Sequence, residues 1–300
     1  MYTSAGIAHQ PRLSLGPPQY FWSRDRLLAF YRRAAHWPIE VIYLGETVCS
    51  KRRELKGRDW LALADELAAS GREVVLSSLA LLEAESELGA LQRLVENGRF
   101  RIEANDMAAV QLCRERGLPF VGGPTLNVYN QRALAMLVED GMQRWVPPVE
   151  LGRDLLGELW QAARDEHVAL PELELIAWGR LPLAYSARCF TARAFDIGKD
   201  NCGFRCIDHP DGLPLATRDG EPFLVINGIQ VQGRETCDLS PELPELRQLG
   251  VDLLRLYPQA EGMAEIIQHF DQARRSAQPP PRRGDDSGYW HGRGIANSGG

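Results

Sequence analysis

FRIEANDMAAVQLCRERGLPFVGG, residues 100–123, is the stretch that decides the fold. Phe100 to Ala104 reads as a strand, and Asn105-Asp106 follow it at once. Met107 to Arg116 reads as a helix closed by Gly117. Leu118 to Val121 is the next strand, running into Gly122-Gly123-Pro124. The unit is strand, helix, glycine, strand. Repeated, it argues for a parallel sheet with helices packed outside it.

The same unit recurs on both sides. Upstream, Arg12 to Gly16 reads as a strand, and Ser23 is placed to cap a helix over Arg24 to His36. Pro38 to Leu44 carries a buried-strand pattern, Asp59 to Ala69 a helix, Glu73 to Leu76 a strand and Ala80 to Glu96 a long helix. Downstream come a helix over Gln131 to Glu139, a strand over Arg144 to Val146 and a helix over Leu151 to Glu166. An apolar strand from Leu173 to Trp178 then ends at Gly179. The last repeat is a helix over Pro241 to Leu249 and a strand over Val251 to Leu256. Strands starting near 12, 39, 73, 100, 118, 144, 173 and 251 make eight, which predicts an α/β fold of the closed (β/α)8 TIM-barrel type. A doubly wound open sheet is the alternative topology. The barrel domain is expected over 12–275, after an N-terminal extension over 1–11. A Pro/Gly/Arg-rich tail over 276–300 is too poor in apolar residues to bury a core and is expected to be disordered.

One interval breaks the rhythm. Between Gly179 and Pro241 no clear helix is legible, and Phe223 to Asn227 with Gly228 to Val231 reads as a small hairpin. An insertion of that length without helices is commonly functional. It follows the seventh strand, so it belongs on the C-terminal face of a barrel, where such barrels keep their active sites. It carries Cys189, Cys202 and Cys206, with glycines at 198 and 203 around the middle thiol. Cys49 follows the second strand and therefore lies on the same face. Four thiolates suit either zinc or an iron–sulfur cluster. Only Cys202 and Cys206 form a tight pair, and that dispersion favours the cluster, although spacing alone leaves zinc open. Cys113 reads as a small buried hydrophobe on a helix, and Cys237 has no partner spacing. His209, among Asp208, Pro210, Asp211 and Gly212, reads as a turn residue. Lys51, Arg52 and Arg53 are either an anion site beside the cluster or a solvated loop. Asn105-Asp106 and Asn127 follow strands and suit ligand contact or plain turns equally.

Composition narrows the function. The chain has 300 residues, 44% hydrophobic and 25% charged, with net charge −6, which is ordinary for a globular protein and gives no footprint for nucleic acid. No apolar run approaches the ~18 residues that span a bilayer, and Met1 to Pro18 lacks the pattern of a secretory signal. A cytoplasmic protein with reduced thiols is therefore expected. His-Glu-x-x-His, Gly-x-Ser-x-Gly, Walker and Gly-x-Gly-x-x-Gly motifs are all missing, so no local motif supports a hydrolase.

Three segments carry a family resemblance: Tyr43-Leu-Gly-Glu-Thr-Val-Cys-Ser-Lys-Arg52, Gly122-Gly-Pro-Thr-Leu-Asn-Val-Tyr-Asn130 and Gly179-Arg-Leu-Pro-Leu-Ala-Tyr-Ser-Ala-Arg-Cys189. Together they resemble the U32 peptidase-like family, over roughly Leu13 to Phe270. Within it, the Cys spacing is similar to that of members tied to ubiquinone biosynthesis. The resemblance implies a [4Fe-4S] cluster on Cys49, Cys189, Cys202 and Cys206, and a heterodimer with a UbiU-like U32 protein. It further implies oxygen-independent hydroxylation of a ubiquinone ring precursor, with prephenate as the suggested oxygen source. Catalytic residues are not implied for this chain. The other classes to weigh are a zinc-stapled barrel acting as a binding or assembly protein and a U32-type hydrolase.

Overall fold

The computed structural model describes residues 10–292. In chain order the first half reads β1 (Arg12–Leu15), α1 (Arg24–Ala34), β2 (Val41–Leu44), α2 (Gly57–Ala69), β3 (Glu73–Ser77), α3 (Glu85–Val95), β4 (Arg101–Ala104), α4 (Met107–Glu115), β5 (Phe120–Gly122), α5 (Gln131–Glu139), β6 (Met142–Trp145) and α6 (Arg153–Asp165). The second half runs β7 (Glu172–Tyr185), α7 (Phe190–Ala194), β8 (Leu213–Ala216), β9 (Pro222–Asn227), β10 (Gln230–Asp238), α8 (Leu243–Leu249), β11 (Leu253–Leu256) and α9 (Met263–Arg275). Strands β1 to β7 pair in parallel in sequence order, and β11 pairs in parallel with both β7 and β1. Eight parallel strands thus close into a (β/α)8 barrel, and no open edge remains in that ring. The eight expected strands are these, each starting within two residues of its expected start.

Two expectations are corrected. Gly179 does not end the seventh strand, because β7 runs on to Tyr185. Gly179 sits there at φ +117°, and a Cβ would come within 2.8 Å of Tyr257 Cβ. The glycine is a kink: β7 leaves the barrel at this point and pairs antiparallel with β10, carrying β9 and β8 beyond it. The insertion also holds one short helix, α7, five residues long. Its single turn is too short to show as a periodic pattern.

The second correction concerns the tail. Residues 276–292 pack against the barrel; 293–300, like 1–9 of the extension, lie outside the described residues. The Asp238 carboxylate accepts the backbone N–H of Arg283 (2.7 Å) and Gly284 (3.1 Å), and Arg282 reaches Glu242 at 2.6 Å. Trp290 is buried, and its ring N–H donates to Glu245. Composition hid this, because one tryptophan and a row of backbone hydrogen bonds hold the segment.

The core is apolar outside the barrel and charged within it. Helix faces such as Leu27, Phe30 and Tyr31 on α1, or Leu156, Leu159, Trp160 and Ala163 on α6, bury against the strands. Inside the ring, Arg255 on β11 pairs with Glu103 on β4 at 2.5 Å and with Glu174 on β7 at 2.9 Å. Ser14 and Tyr43 hydroxyls donate to Glu174, and the Arg255 guanidinium lies 4.0 Å from the Tyr43 ring centre. Towards the strand N-termini, Arg144 gathers Glu73 and Glu172. That mouth is sealed by ion pairs, leaving the opposite, C-terminal face for ligands.

Candidate functional site

The four thiols singled out by sequence reach the C-terminal face by different routes. Cys49 sits on the loop after β2. Gly45, at φ +133°, starts the loop where a Cβ would lie 2.5 Å from the Ser77 carbonyl oxygen, so only glycine turns the chain there. The Glu46 carboxylate then accepts the backbone N–H groups of Val48 (2.9 Å) and Cys49 (3.0 Å), fixing the thiol's approach. Cys189 lies at the end of the overlong β7 and caps α7, where its Sγ accepts the Ala192 N–H at 3.4 Å. The β9–β10 turn holds that helix in place: Gly228 accepts from Phe190 at 2.7 Å and donates to the Thr191 hydroxyl at 2.9 Å. Cys202 and Cys206 flank two left-handed residues, Gly203 (φ 57°) and Phe204 (φ 54°). That pair turns the chain sharply between the two thiols. All four thiols are free and partly buried.

Charge ties them into one neighbourhood. Burial pushes the Cys49 and Cys206 thiols up, the guanidinium of Arg52 opposes this at both, and the nearby Cys189 adds to the rise at both. Lys51 faces Cys49 and Cys202. Its ammonium bonds Asp200 at 2.6 Å and the Lys199 carbonyl at 3.0 Å, pinning the Cys202 turn to the Cys49 loop. Among the described residues, no three His, Cys, Asp or Glu side chains close around a point that a single metal ion could occupy. Cys113 and Cys237 lie apart, buried on α4 and β10. Burial pushes the Cys113 thiol up to about 11. His209 stacks on Phe195 at a turn.

Sequence reading left Lys51, Arg52 and Arg53 undivided; the structure divides them. Lys51 is the strap just described, Arg53 is exposed, and Arg52 is buried. Arg52 donates to the Gln19 carbonyl (2.8 Å) and to Asn227 Oδ1 (2.6 Å) and lies 3.7 Å from Glu46. Its Nε is buried with no hydrogen-bond partner. A buried donor left open beside thiols suits a sulfur-rich acceptor. The donor set has the same character: four thiols, two flanking cations and a backbone N–H aimed at sulfur. A four-thiolate cluster is anionic, and these groups offset its charge and hydrogen-bond its sulfurs. The residues present therefore fit a [4Fe-4S] group.

Arg52→Met is expected to leave Glu46 as a lone, mostly buried carboxylate and cost about 3–5 kcal/mol. Urea unfolding measures that directly, and bound iron in the same preparation should fall several-fold.

A cavity of about 490 Å³ opens on the same face above β4 to β7. Asn105, Asp106, Thr125, Asn127, Tyr129 and Tyr185 line it, so both sequence candidates after the strands reach a cavity while also serving local turns. Asp106 caps α4 and Asn127 takes the left-handed conformation at φ 55°. Two carboxylates, Asp106 and Glu150, and no cation line this space among the described residues. From it a hydrogen-bond chain leads to the thiols. Gln230 donates to the Tyr185 hydroxyl at 2.8 Å, Asn227 donates to Gln230 at 3.1 Å, and Arg52 donates to Asn227. Sequence reading missed Glu46, Tyr185, Asn227 and Gln230 as site residues. Glu46 and Tyr185 lie within the family-like segments, which was the available signal; the other two lie in an unremarkable hairpin. Elsewhere, Ser240 and His269 meet at 2.9 Å, but Ser240 is fully buried, so the pair joins two elements and does not face a substrate.

Comparison with known proteins was informative at the level of family. A family model described as Peptidase family U32 matches residues 23–279. Among solved structures, dihydropteroate synthase (FolP) from Thermus thermophilus aligns with a TM-score of 0.42 and 12% identity, covering 88% of this chain and 92% of that one. The spore cortex-lytic enzyme SleL of Bacillus megaterium QM B1551 gives 0.44 and 9%, covering 91% and 76%. Tryptophan synthase from M. tuberculosis gives 0.44 and 11%, covering 89% and 91%. At these scores the structural matches carry no functional argument.

Proposed function

We propose that this chain, which belongs to peptidase family U32, is the [4Fe-4S]-binding subunit of an oxygen-independent hydroxylase. Cys49, Cys189, Cys202 and Cys206 hold the cluster in this reading. The substrate is a ubiquinone ring precursor, the partner is a UbiU-like U32 protein, and the chain is of the UbiV type within its family. The observation that supports the reading is the set of charge contacts among partly buried thiols on one barrel face: Cys49 and Cys206 both face the buried Arg52 and Cys189, and Lys51 faces Cys49 and Cys202.

Bound there, the cluster supplies one-electron transfer at a potential set by burial and by hydrogen bonds to sulfur. The chain's own residues do the rest. Glu46 fixes the Cys49 loop through two backbone N–H groups. Arg52 brings a positive charge against Cys49 and Cys206 and braces the hairpin that seats Cys189. The Tyr185–Gln230–Asn227 chain links a residue of the cavity wall to Arg52, which faces Cys49 and Cys206. A neutral phenolic ring suits the 490 Å³ cavity, which offers Tyr, Asn and Thr hydrogen-bonding groups and no cation among its described lining.

The test is anaerobic reconstitution of the full chain with a UbiU-like partner. A 1:1 complex that adds oxygen to the ring precursor without O2, detected by mass spectrometry, is the expected result. A complex that forms, carries iron and leaves the precursor unchanged with prephenate present contradicts the hydroxylase assignment.

A further inference from the structure

A second cavity, of about 300 Å³, opens on the C-terminal face where β7 leaves the barrel. It shares no lining residue with the 490 Å³ cavity, and none of the four thiols lines it. The space exists because both strands of the ribbon are irregular here. β7 kinks at Gly179, and β10 loses register: Gln232 pairs with Pro182 and Thr236 with Arg180, so residues 233–235 stand opposite Leu181 alone. Such irregularities re-aim side chains beside a site. Gln232 and Thr236, at the two ends of this one, both line the cavity.

The charged groups of the lining are engaged. Arg180 donates to the backbone carbonyls of Arg234 (3.1 Å) and Asp211 (2.9 Å). The Asp211 carboxylate accepts the Ala260 N–H at 2.7 Å, and Glu261 pairs with Arg26 at 3.2 Å. The open groups are neutral. Gln232 is 1% exposed; its Nε2 donates to Gln19 Oε1 at 2.7 Å, and its Oε1 is buried with no hydrogen-bond partner. Gln19 Oε1 also accepts from Gln230, while its Nε2 has no partner among the described residues. The Thr236 hydroxyl has none there either. The cavity thus presents an open acceptor, an open donor and a hydroxyl that serves as either. Tyr20, whose hydroxyl lies beside Arg180 and Gln232, and Tyr257 are both buried and add ring surface to the wall.

We propose that this cavity binds a small neutral polyol of monosaccharide size, with its hydroxyls donating to Gln232 Oε1 and accepting from Gln19 Nε2. A buried acceptor without a partner is costly, and a ligand that donates to it recovers that cost on binding. A hydroxyl both donates and accepts, so adjacent hydroxyls of one molecule answer Gln232, Gln19 and Thr236 together. The C–H faces of such a molecule pack on the tyrosine rings. An ionic head gains less, because Arg180 and Asp211 lie together and their charges offset each other.

Ligand-observed NMR on the full chain, purified without oxygen, tests this with myo-inositol, cyclohexanol and glycine. Myo-inositol should bind saturably, with a dissociation constant of at most about 10 mM. Cyclohexanol, the same ring with one hydroxyl, and glycine, a small zwitterion, should bind at least about tenfold more weakly. Thr236→Val removes the open hydroxyl at nearly constant shape and should weaken myo-inositol about three- to tenfold, the worth of one neutral hydrogen bond. Its melting temperature should stay close to wild type, since that hydroxyl holds no other described residue. Gln232→Met removes the buried acceptor and should weaken myo-inositol at least about tenfold. Tyr129→Phe, in the wall of the 490 Å³ cavity, should leave myo-inositol binding unchanged. No saturable binding of myo-inositol, equal binding of cyclohexanol or tighter binding of glycine overturns the proposal. So does unchanged binding in Thr236→Val, or a loss in Tyr129→Phe that Thr236→Val does not share.

Discussion

Cys202→Ala, purified without oxygen, is expected to retain less than about a tenth of the wild-type iron. Losing even an outer partner of a metal ligand costs on the order of 10–100-fold in affinity, and removing a ligand should cost at least as much. The barrel should survive the change. Cys202 is only partly buried, on an insertion whose nearby large side chains, Phe195, Phe204 and Ile207, are exposed, so its loss leaves the main core intact. A melting temperature close to wild type together with lost iron and lost visible absorption would identify a ligand and exclude a folding defect. Cys113→Ala is the matched control: its thiol is buried on α4 and away from the site, so it should lower stability and keep the iron. Full iron retention in Cys202→Ala would remove this residue from the ligand set.

Arg255→Met should be the most destabilising single change in the barrel. The wild-type guanidinium neutralises two fully buried carboxylates, Glu103 and Glu174, on strands from opposite parts of the chain. A methionine fills much of the volume and leaves both charges without their main partner, at a cost of about 3–5 kcal/mol. For a domain of this size that lowers the melting temperature by roughly 10 °C. The same network predicts acid sensitivity. Burial alone would push Glu174 up, but Arg255 and Arg144 hold it below the ordinary glutamate value of 4.5. Its contribution is therefore fully present above that value and is lost as pH falls through the lower folded-state value. Wild-type stability by urea unfolding should fall below about pH 4.5, and Arg255→Met, in which Glu174 lacks its strongest partner, should show less of that fall.

The barrel was legible because its signal is local. Strands buried on both faces read as short apolar runs, and the glycines that end helices mark the joints, as in 100–123. That Cys49 and the insertion lie on one barrel face followed from counting strands, since each follows one. What sequence could not supply is contact across the chain. Arg255 meets Glu103 over a separation of 152 residues, and Arg52 meets Asn227 over 175. Charged side chains in the middle of strands carry no label telling which of them face inward to a partner. Gly179 misled for a related reason: a glycine is a stop after a helix, but within a strand it lets the chain bend and continue. The order of residues 276–292 escaped because backbone hydrogen bonds, which composition does not record, tie the segment down.

The most direct test of the account is the metal and sulfide content of the full chain purified without oxygen, read together with its visible and Mössbauer spectra. The account predicts a brown protein with about four irons and four acid-labile sulfides per chain and no stoichiometric zinc. A colourless chain holding one zinc would contradict it and turn the four thiols into a structural staple.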